Sequence, residues 1–480
     1  MGPTTRTNVP QAVLENVLAL LRERLGDRLV TSAAARNAHA RGEAMHESYP
    51  PDAVAYVLTD DEVAFVLCAC NAARVPVVAF GAGTSLEGHV QAIAGGICLD
   101  VSRMDAILQV SADDLDCRVQ AGVTREQLNA HIRDAGLFFP LDPGANATLG
   151  GMAATRASGT NAVRYGTMRE VVLGLTVVTP QGRIIRTGGR ARKSSAGYDL
   201  TRLYIGSEGT LGVITEVQLR LFGVPERIAA AVCQFEQLEG AVRATTWMLQ
   251  MGIPIARIEL LDELQIRACI AYSKLTDLLE KPTLFLEFHG APASVEEQIE
   301  QVRVAVTEYG GSELRWATSQ QERDRLWKAR HNAYWAARGL APGKEAFATD
   351  ACVPISALSG CIMETRAEAD ASGLACPIVG HVGDGNFHVL VPYDPASADE
   401  CRRAETLATS IARRAIAYGG TCTGEHGIGL HKLDVLVEEH GEAVDVMRAI
   451  KQALDPHGIM NPGKTVPAAG RSNGPVRSGP

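Results

Sequence analysis

Apolar and polar positions divide the chain into short periodic stretches separated by glycine-rich turns. Over residues 10–25, Val13, Val17, Leu18, Leu21 and Leu25 recur at helical spacing and predict an amphipathic helix packed on the first domain. Strand patterns follow at 53–58, 75–80, 95–100 and 116–121. Helices open between and after them, at Asp60 (through about residue 74) and at Thr124 (through about residue 135). Cys68 and Cys70 lie in the first of these helices and read as small core residues. Further strands are predicted at 171–179, 183–186 and 213–221. Past a boundary near 223–226 the pattern changes to strand 229–235, helix 237–251 and strand 255–260, then strand 283–289 and helix 293–309. A helix over 319–339, a strand over 347–354 and a helix over 399–418 complete it. This second half reads as α+β, an antiparallel sheet with helices on one side.

One stretch gathers more chemistry than any other: residues 376–391, C-P-I-V-G-H-V-G-D-G-N-F-H-V-L-V. Segments 378–382 and 387–391 read as strands, and Asp384-Gly385 is a preferred pair for a two-residue hairpin loop. Such a loop pairs Gly383 with Asn386, Val382 with Phe387 and His381 with His388. Direct cross-strand neighbours have Cβ atoms roughly 4.5–5.5 Å apart, so two imidazoles placed this way can hold one metal ion. The same pair can also simply fill a sheet face.

At 480 residues the chain is too long for one ordinary core, and two domains with a small third element are expected. With 46% hydrophobic and 21% charged residues it is an ordinary globular composition. A net charge of −9 without a long basic run argues against a nucleic-acid binder. No stretch approaches the ~18 apolar residues of a membrane helix. The first residues form neither a signal core nor a myristoylation site, since position six is Arg6. Eleven scattered cysteines without a C-x-x-C pair fit a reduced, cytoplasmic chain better than a disulfide framework.

Three glycine-rich segments remain. Gly81-Ala82-Gly83-Thr84-Ser85 and the residues to Gly88 follow the strand ending at Phe80. A turn of this kind lets backbone N–H groups approach an anion such as a pyrophosphate. It is not the Rossmann fingerprint, because Leu86 stands at the third glycine, and it can also be merely a tight loop. The second segment holds Pro143, Gly144, Thr148, Gly150, Gly151 and Ala153, then Ser158, Gly159, Asn161, Tyr165 and Gly166. The third holds Gly206, Glu208, Gly209, Gly212 and Ile214. Such density of small residues suits a flat ligand against the backbone, or tight helix packing.

In their order and spacing these segments resemble the flavin domain of vanillyl-alcohol-oxidase-type enzymes. The branch they resemble is the cytochrome-type D-lactate dehydrogenases and glycolate oxidase FAD subunits. The likeness runs from about Ser48 to Lys464. It implies a two-part FAD-binding (PCMH-type) domain over 48–225 after an N-terminal helical segment 1–47, and an α+β cap domain over 226–458. A return to the flavin at 459–464 completes it; residues 465–480, rich in Pro, Gly and Ser, are expected to form a disordered tail on composition alone. By resemblance Phe80–Ser85 holds the pyrophosphate, and the second and third segments line the rest of the FAD, with Asn461 returning to touch it. Some relatives tether FAD through a histidine in the first turn; Thr84 stands there, so non-covalent FAD is expected. The W-x-x-R of Trp327 and Arg330, which alone reads as a solvated helix charge, matches the motif whose arginine grips a substrate carboxylate. Relatives that oxidise 2-hydroxyglutarate carry a lysine where this chain has Ala348, which favours a monocarboxylate.

Glu425-His426, on a glycine-flanked loop, adds an anionic ligand and a base. With His381 and His388, Glu425 makes a His₂-carboxylate set that leaves positions open for substrate and suits zinc, manganese or iron. His426 is the candidate base and Arg330 the carboxylate anchor. The expected activity is FAD-dependent, metal-assisted oxidation of a D-2-hydroxy acid, D-lactate foremost. Electrons would pass to a cytochrome, a quinone or an electron-transfer flavoprotein, with peripheral membrane contact left open. The rivals are a glycolate oxidase catalytic subunit, a flavin-free metal hydrolase and, with least support, a non-catalytic flavin subunit.

Overall fold

The computed structural model describes residues 9–43, 47–275, 277–317 and 319–468, in two units. The first comprises residues 1–158, 167–223 and 425–480, and the second 159–166 and 224–424. The tail expected to be disordered lies outside the described residues beyond 468, as does His46 in the loop at 46–51.

The first unit contains two main sheets and a two-stranded pair, Leu137–Phe138 with Phe222–Gly223. In one, Ala53–Tyr56, Ile97–Asp100 and Val77–Phe80 run parallel, with Leu29–Val30 antiparallel at the edge. Helices Gln11–Leu25 and Asp60–Ala73 bury Leu14, Val17, Leu21, Val63, Val66 and Leu67 in its core. The N-terminal segment is therefore part of this unit rather than separate from it. Thr59, not Asp60, caps the second helix by accepting from the Glu62 N–H. Cys70 is in the core, while Cys68, two positions along the helix, points out of it. The other sheet is antiparallel, in the order Ile107–Ser111, Asp116–Gln120, Val213–Arg220, Val172–Val178, Ile184–Gly188. Residues 425–458, expected in the second domain, belong here. Helix Ala443–Leu454 lays Ile450 and Leu454 on the core of the antiparallel sheet, and Lys451 Nζ donates to the Thr210 and Met460 carbonyls at 2.7 and 2.8 Å.

The second unit is built on an antiparallel sheet. Its order is Arg315–Trp316, Arg227–Gln234, Thr283–Gly290, Arg257–Leu261, Ile378–Gly380, Asn386–Tyr393, Glu345–Ala348. Helices cover both faces, not one. Leu238–Gln250, Pro292–Glu308, Leu358–Ala371 and Ala398–Ala417 pack over Ile258, Leu260, Leu286, Phe387 and Val389. Glu263–Ser273, Gln320–His331 and Ala333–Arg338 pack over Leu261, Phe285, Val379 and Leu390. The strands show why: Asn386–Tyr393 is buried at every position, which one covered face cannot achieve. Gly159–Gly166 joins this unit rather than the flavin domain. Arg257 Nε donates to Asn161 Oδ1 at 2.9 Å, Tyr165 Oη lies 2.7 Å from His289 Nδ1, and Val163 packs on the core.

The hairpin forms with a different turn and register. Val382–Asp384 makes a 3₁₀ turn, Gly385 closes it at φ +76°, and the ladder pairs Val379 with His388 and Ile378 with Val389. His381 and His388 are thus diagonal neighbours. The shift is by two residues, so both stay on one face, with ring centroids 5.5 Å apart and planes at 85°. A Cβ on Gly385 would meet the Val353 carbonyl oxygen at 2.1 Å. Gly385→Ala should therefore destabilise the second unit by about 1–3 kcal/mol, read as a lower midpoint in denaturant unfolding; an unchanged midpoint would show that the turn tolerates a side chain.

Candidate active site

In the first unit, the turn after Phe80 is shaped by close approach. A Cβ on Gly81 would lie 2.3 Å from Thr148 Oγ1, and Gly83 sits at φ +70° over the Phe80 ring. Thr148 caps helix Leu149–Thr155 by accepting from the Gly151 N–H, and Gly150 is pressed on Ala121. The Gly206 and Glu208 N–H groups donate to the Ala153 and Ala154 carbonyls. Asn461 donates its N–H to the Val77 carbonyl and its Nδ2 to the His89 and Glu208 carbonyls. The structure thus brings together Phe80–Ser85, Thr148, Gly150, Gly151, Ala153, Glu208, Gly209 and Asn461. Ser85 Oγ is buried without a hydrogen-bond partner among the described residues. Gly144 has nothing within 4 Å of a built Cβ, and Gly209 nothing nearer than 3.7 Å. A buried hydroxyl left without a partner in the turn after Phe80 fits a bound group that brings its own polar atoms, as a dinucleotide does. Gly212 and Ile214 have a structural reason as well: Gly212 lies against the Val178 carbonyl, and Ile214 pairs with Val177 in the core. Pro143 lies partly exposed on the loop before Thr148, Ser158 is buried at the edge of this unit, and Gly159, Asn161, Tyr165 and Gly166 lie in the second unit.

His426 belongs to an irregular loop that two buried carboxylates hold. Glu87 is paired with Lys432 at 2.8 Å and lies 3.4 Å from His431. Burial raises its pKa, but Lys432, His431 and His426 outweigh burial and leave it below the ordinary value. Glu208 accepts the Ile428 and Gly429 N–H groups at 2.7 and 2.9 Å and the Thr465 hydroxyl at 2.6 Å, with His89 Nε2 at 3.2 Å. Burial alone would raise its pKa. The charge of His89 and the hydrogen bonds from His89, Thr465 and Ile428 lower it to about 2.

In the second unit, strand alternation puts Arg257, Glu259, Glu287, His289 and His388 on one sheet face, and His381 continues it. Glu259, 1% exposed, holds two site residues at once. His381 Nδ1 lies 2.8 Å from its Oε1, and Arg330 Nε and Nη2 lie 2.7 and 2.6 Å from its Oε2. Arg330 and Trp327 are buried on helix Gln320–His331, which ends at Asn332 instead of running on to Gly339. His388 Nδ1 donates to the Thr349 carbonyl at 2.9 Å, with Asp350 Oδ1 at 3.6 Å. Asp350 in turn accepts from Asn386 and Thr423. Nδ1 of each histidine is thus held by an oxygen, the kind of contact that orients an imidazole. Gly424, whose Cβ would overlap the Asn386 amide, is the last residue of this unit; Glu425 and His426 follow it in the chain.

Residues 51–188 match the FAD binding domain family, and residues 224–465 match the family of C-terminal domains of FAD-linked oxidases. The chain is 48% identical to the probable mitochondrial D-lactate dehydrogenase of Danio rerio, over 97% of this chain and 94% of the relative. It is 44% identical to the mitochondrial D-lactate dehydrogenase [cytochrome] of Arabidopsis thaliana, over 95% and 81%. Against the glycolate oxidase subunit GlcD of Bacillus subtilis the identity is 34%, over 86% and 88%. In fold it is similar to 4-ethylphenol oxidase from Gulosibacter chungangensis, with a TM-score of 0.78 at 17% identity over 97% and 99% of the two chains. It is likewise similar to p-cresol methylhydroxylase, at 0.76 and 16% over 96% and 98%. Fold and site define an FAD-linked oxidoreductase. The chain belongs to the FAD-linked oxidase family, in the branch of cytochrome-type D-lactate dehydrogenases and glycolate oxidase FAD subunits. This removes the flavin-free hydrolase. No helix among the described residues is long and apolar enough to cross a membrane.

The sequence reading missed Glu259, Asp350, Glu87 and His89. For Glu259 a signal was present: Arg257-Ile-Glu-Leu and Glu287-Phe-His put charges at alternate positions of otherwise apolar strands. Glu259→Ala should cost roughly 3–5 kcal/mol of stability, because it leaves Arg330 buried without its carboxylate. Adding Arg330→Met should return part of the loss; a loss under about 1 kcal/mol in denaturant unfolding would contradict the buried pair. Glu208, folded at about 2 against an ordinary 4.5, contributes stability present above pH 4.5 and lost as pH falls from there towards 2. Glu208→Gln should flatten that part of the stability–pH curve relative to the parent chain.

Proposed function

We propose that this chain oxidises a D-2-hydroxy acid, D-lactate first, using non-covalent FAD and one divalent metal, and delivers the electrons to a cytochrome-type acceptor. The observation that carries the reading is the His381–His388 pair, with ring centroids 5.5 Å apart on one sheet face and Nδ1 atoms held by Glu259 and the Thr349 carbonyl, while Glu259 also ties the site to Arg330. The names of the relatives from Danio rerio and Arabidopsis thaliana support the substrate and the acceptor. FAD, when bound, supplies the hydride acceptor; Thr84 in the first turn offers no histidine for a covalent tether. His381, His388 and Glu425 would hold the metal, whose charge makes a bound hydroxyl more acidic. Zinc, manganese and iron all suit these donors.

Arg330 binds the substrate carboxylate through the Nη1 side of its fork, since Nε and Nη2 face Glu259. That grip fixes which face of Cα is presented. His426 takes the hydroxyl proton. Ala348 puts no cation where a second carboxylate would need one, which supports a monocarboxylate. Glycolate is the second reading, favoured by the identity to the Bacillus subtilis subunit.

The first test is an absorbance spectrum of the purified protein before and after anaerobic D-lactate. Bleaching by D-lactate but not L-lactate, suppressed by a chelator, is expected; bleaching only by glycolate would move the substrate to the second reading. His426→Ala should keep FAD and slow flavin reduction by about 10²–10⁴-fold, and an ordinary rate would remove it as the base. Arg330→Ala should raise KM and also lower stability, because it strips Glu259 of its guanidinium; an unchanged KM would remove Arg330 from the substrate pocket.

A further inference from the structure

Three of the seven non-glycine residues with left-handed backbone among the described residues meet at one place. They are Glu208 at φ 53°, Asn461 at φ 42° and Thr465 at φ 65°. Strain of this kind persists only where surrounding contacts over-determine it, and here they converge on a single carboxylate. Both Glu208 oxygens are spent inside the protein: Oε1 on the Ile428 N–H, and Oε2 on the Gly429 N–H and the Thr465 hydroxyl. A Cβ on Gly427 would lie 2.5 Å from Oε1, so this loop has room only for glycine where it crosses Glu208. The Thr465 N–H closes the ring by donating to the Gly429 carbonyl at 3.0 Å. On the other side, Asn461 Nδ2 holds the Glu208 carbonyl, while Lys464 donates to the His89 and Gln91 carbonyls and to Asn461 Oδ1.

From this geometry we infer that Glu208 is a positioning residue for the catalytic loop rather than a flavin ligand: its carboxylate clamps Ile428 and Gly429 and so fixes His426, two residues earlier. The inference rests on the reading of His426 as the base. Charge-assisted bonds to two successive backbone N–H groups define where the chain runs, and Thr465 supports the clamp from the C-terminal return. A base displaced by about 1 Å loses on the order of 10²-fold in rate, so the clamp should appear in the rate constant before it appears in affinity.

The test compares the FAD-loaded parent chain with Glu208→Gln. An amide cannot reproduce the charge-assisted pair. The peptide covering residues 426–430 should exchange its amide hydrogens at least tenfold faster, and FAD content should stay at the parent level. Anaerobic flavin reduction by D-lactate should slow about 10- to 100-fold with KM within about threefold. In a His426→Ala background the same substitution should add almost nothing, because both changes act through one group; additive losses would overturn the inference. Unchanged exchange, or loss of FAD with exchange unchanged, would also overturn it and return Glu208 to the flavin. Should Glu208→Gln fail to fold, Thr465→Val removes one donor while keeping a β-branched residue at φ 65°; a smaller rise in the same exchange supports the clamp, and none refutes it. If the parent chain is not reduced by D-lactate, the functional reading falls while the exchange data still decide the clamp.

Discussion

A carboxylate with almost no exposed surface keeps its charge only where cations and donors surround it. Glu259 lies in the middle of the second unit's sheet, on a strand whose alternate residues, Ile258 and Leu260, are fully in the core. Removing it and Arg330 from water carries a desolvation penalty of several kcal/mol per ion. The pair is tolerable because Arg330 meets one oxygen with two nitrogens and His381 takes the other. The rest of the unit follows from this. The helix carrying Arg330 must pack on the same face as Glu259, so that face needs its own cover, provided by Glu263–Ser273, Gln320–His331 and Ala333–Arg338. The apolar burial that stabilises the sheet is gathered on the opposite face, under four longer helices.

The first unit uses the same device at Glu208, but its donors are mostly backbone N–H groups and a hydroxyl. That difference suits different tasks. Side-chain partners fix rotamers: the Nδ1 contact with Glu259 sets the orientation of the His381 ring. Backbone partners fix the path of a chain that has neither helix nor strand to hold it, as along residues 427–430. Glycines at φ 82° and 50° within that path show how little room is left.

What the sequence made legible was local and periodic. Apolar spacing gave the helices, and the glycine turns stood where the strands end. Asp384-Gly385 marked a reversal between two histidines. The register was not legible, because a two-residue loop and a 3₁₀ turn closed by a left-handed Gly385 are both compatible with V-G-D-G-N; tertiary pairing with the neighbouring strands decides between them. The face survived that error because the shift was even, and an odd shift would have separated the histidines. The place of Gly159–Gly166 was also hidden. Small residues before it pointed to the flavin domain, whereas Arg257 and His289, roughly a hundred residues away, bind its Asn161 and Tyr165. Long-range polar partners leave no periodic trace. Glu259 was missed for a similar reason: charges at alternate positions of an otherwise apolar strand, Arg257 and Glu259, read as a flaw until their partners are known.

Charge accounting around the histidines bears on what the site accepts. Glu259 and Asp350 are both buried and both accept hydrogen bonds from donors suited to carboxylates: His381 and Arg330 for the first, Asn386 and Thr423 for the second. Arg330 is the cation paired directly to Glu259, and the Nδ1 atoms of His381 and His388 lie against Glu259 and the Thr349 carbonyl. Two buried carboxylates therefore stand close to the histidine pair. A hydroxy acid brings a further carboxylate, and Arg330 alone cannot balance two anions in a site shielded from water. On the proposed reading, a divalent cation held by the histidine pair would supply the opposing charge. On that reading Glu259, which would repel the substrate, is also the residue that orients an imidazole for the ion that would attract it.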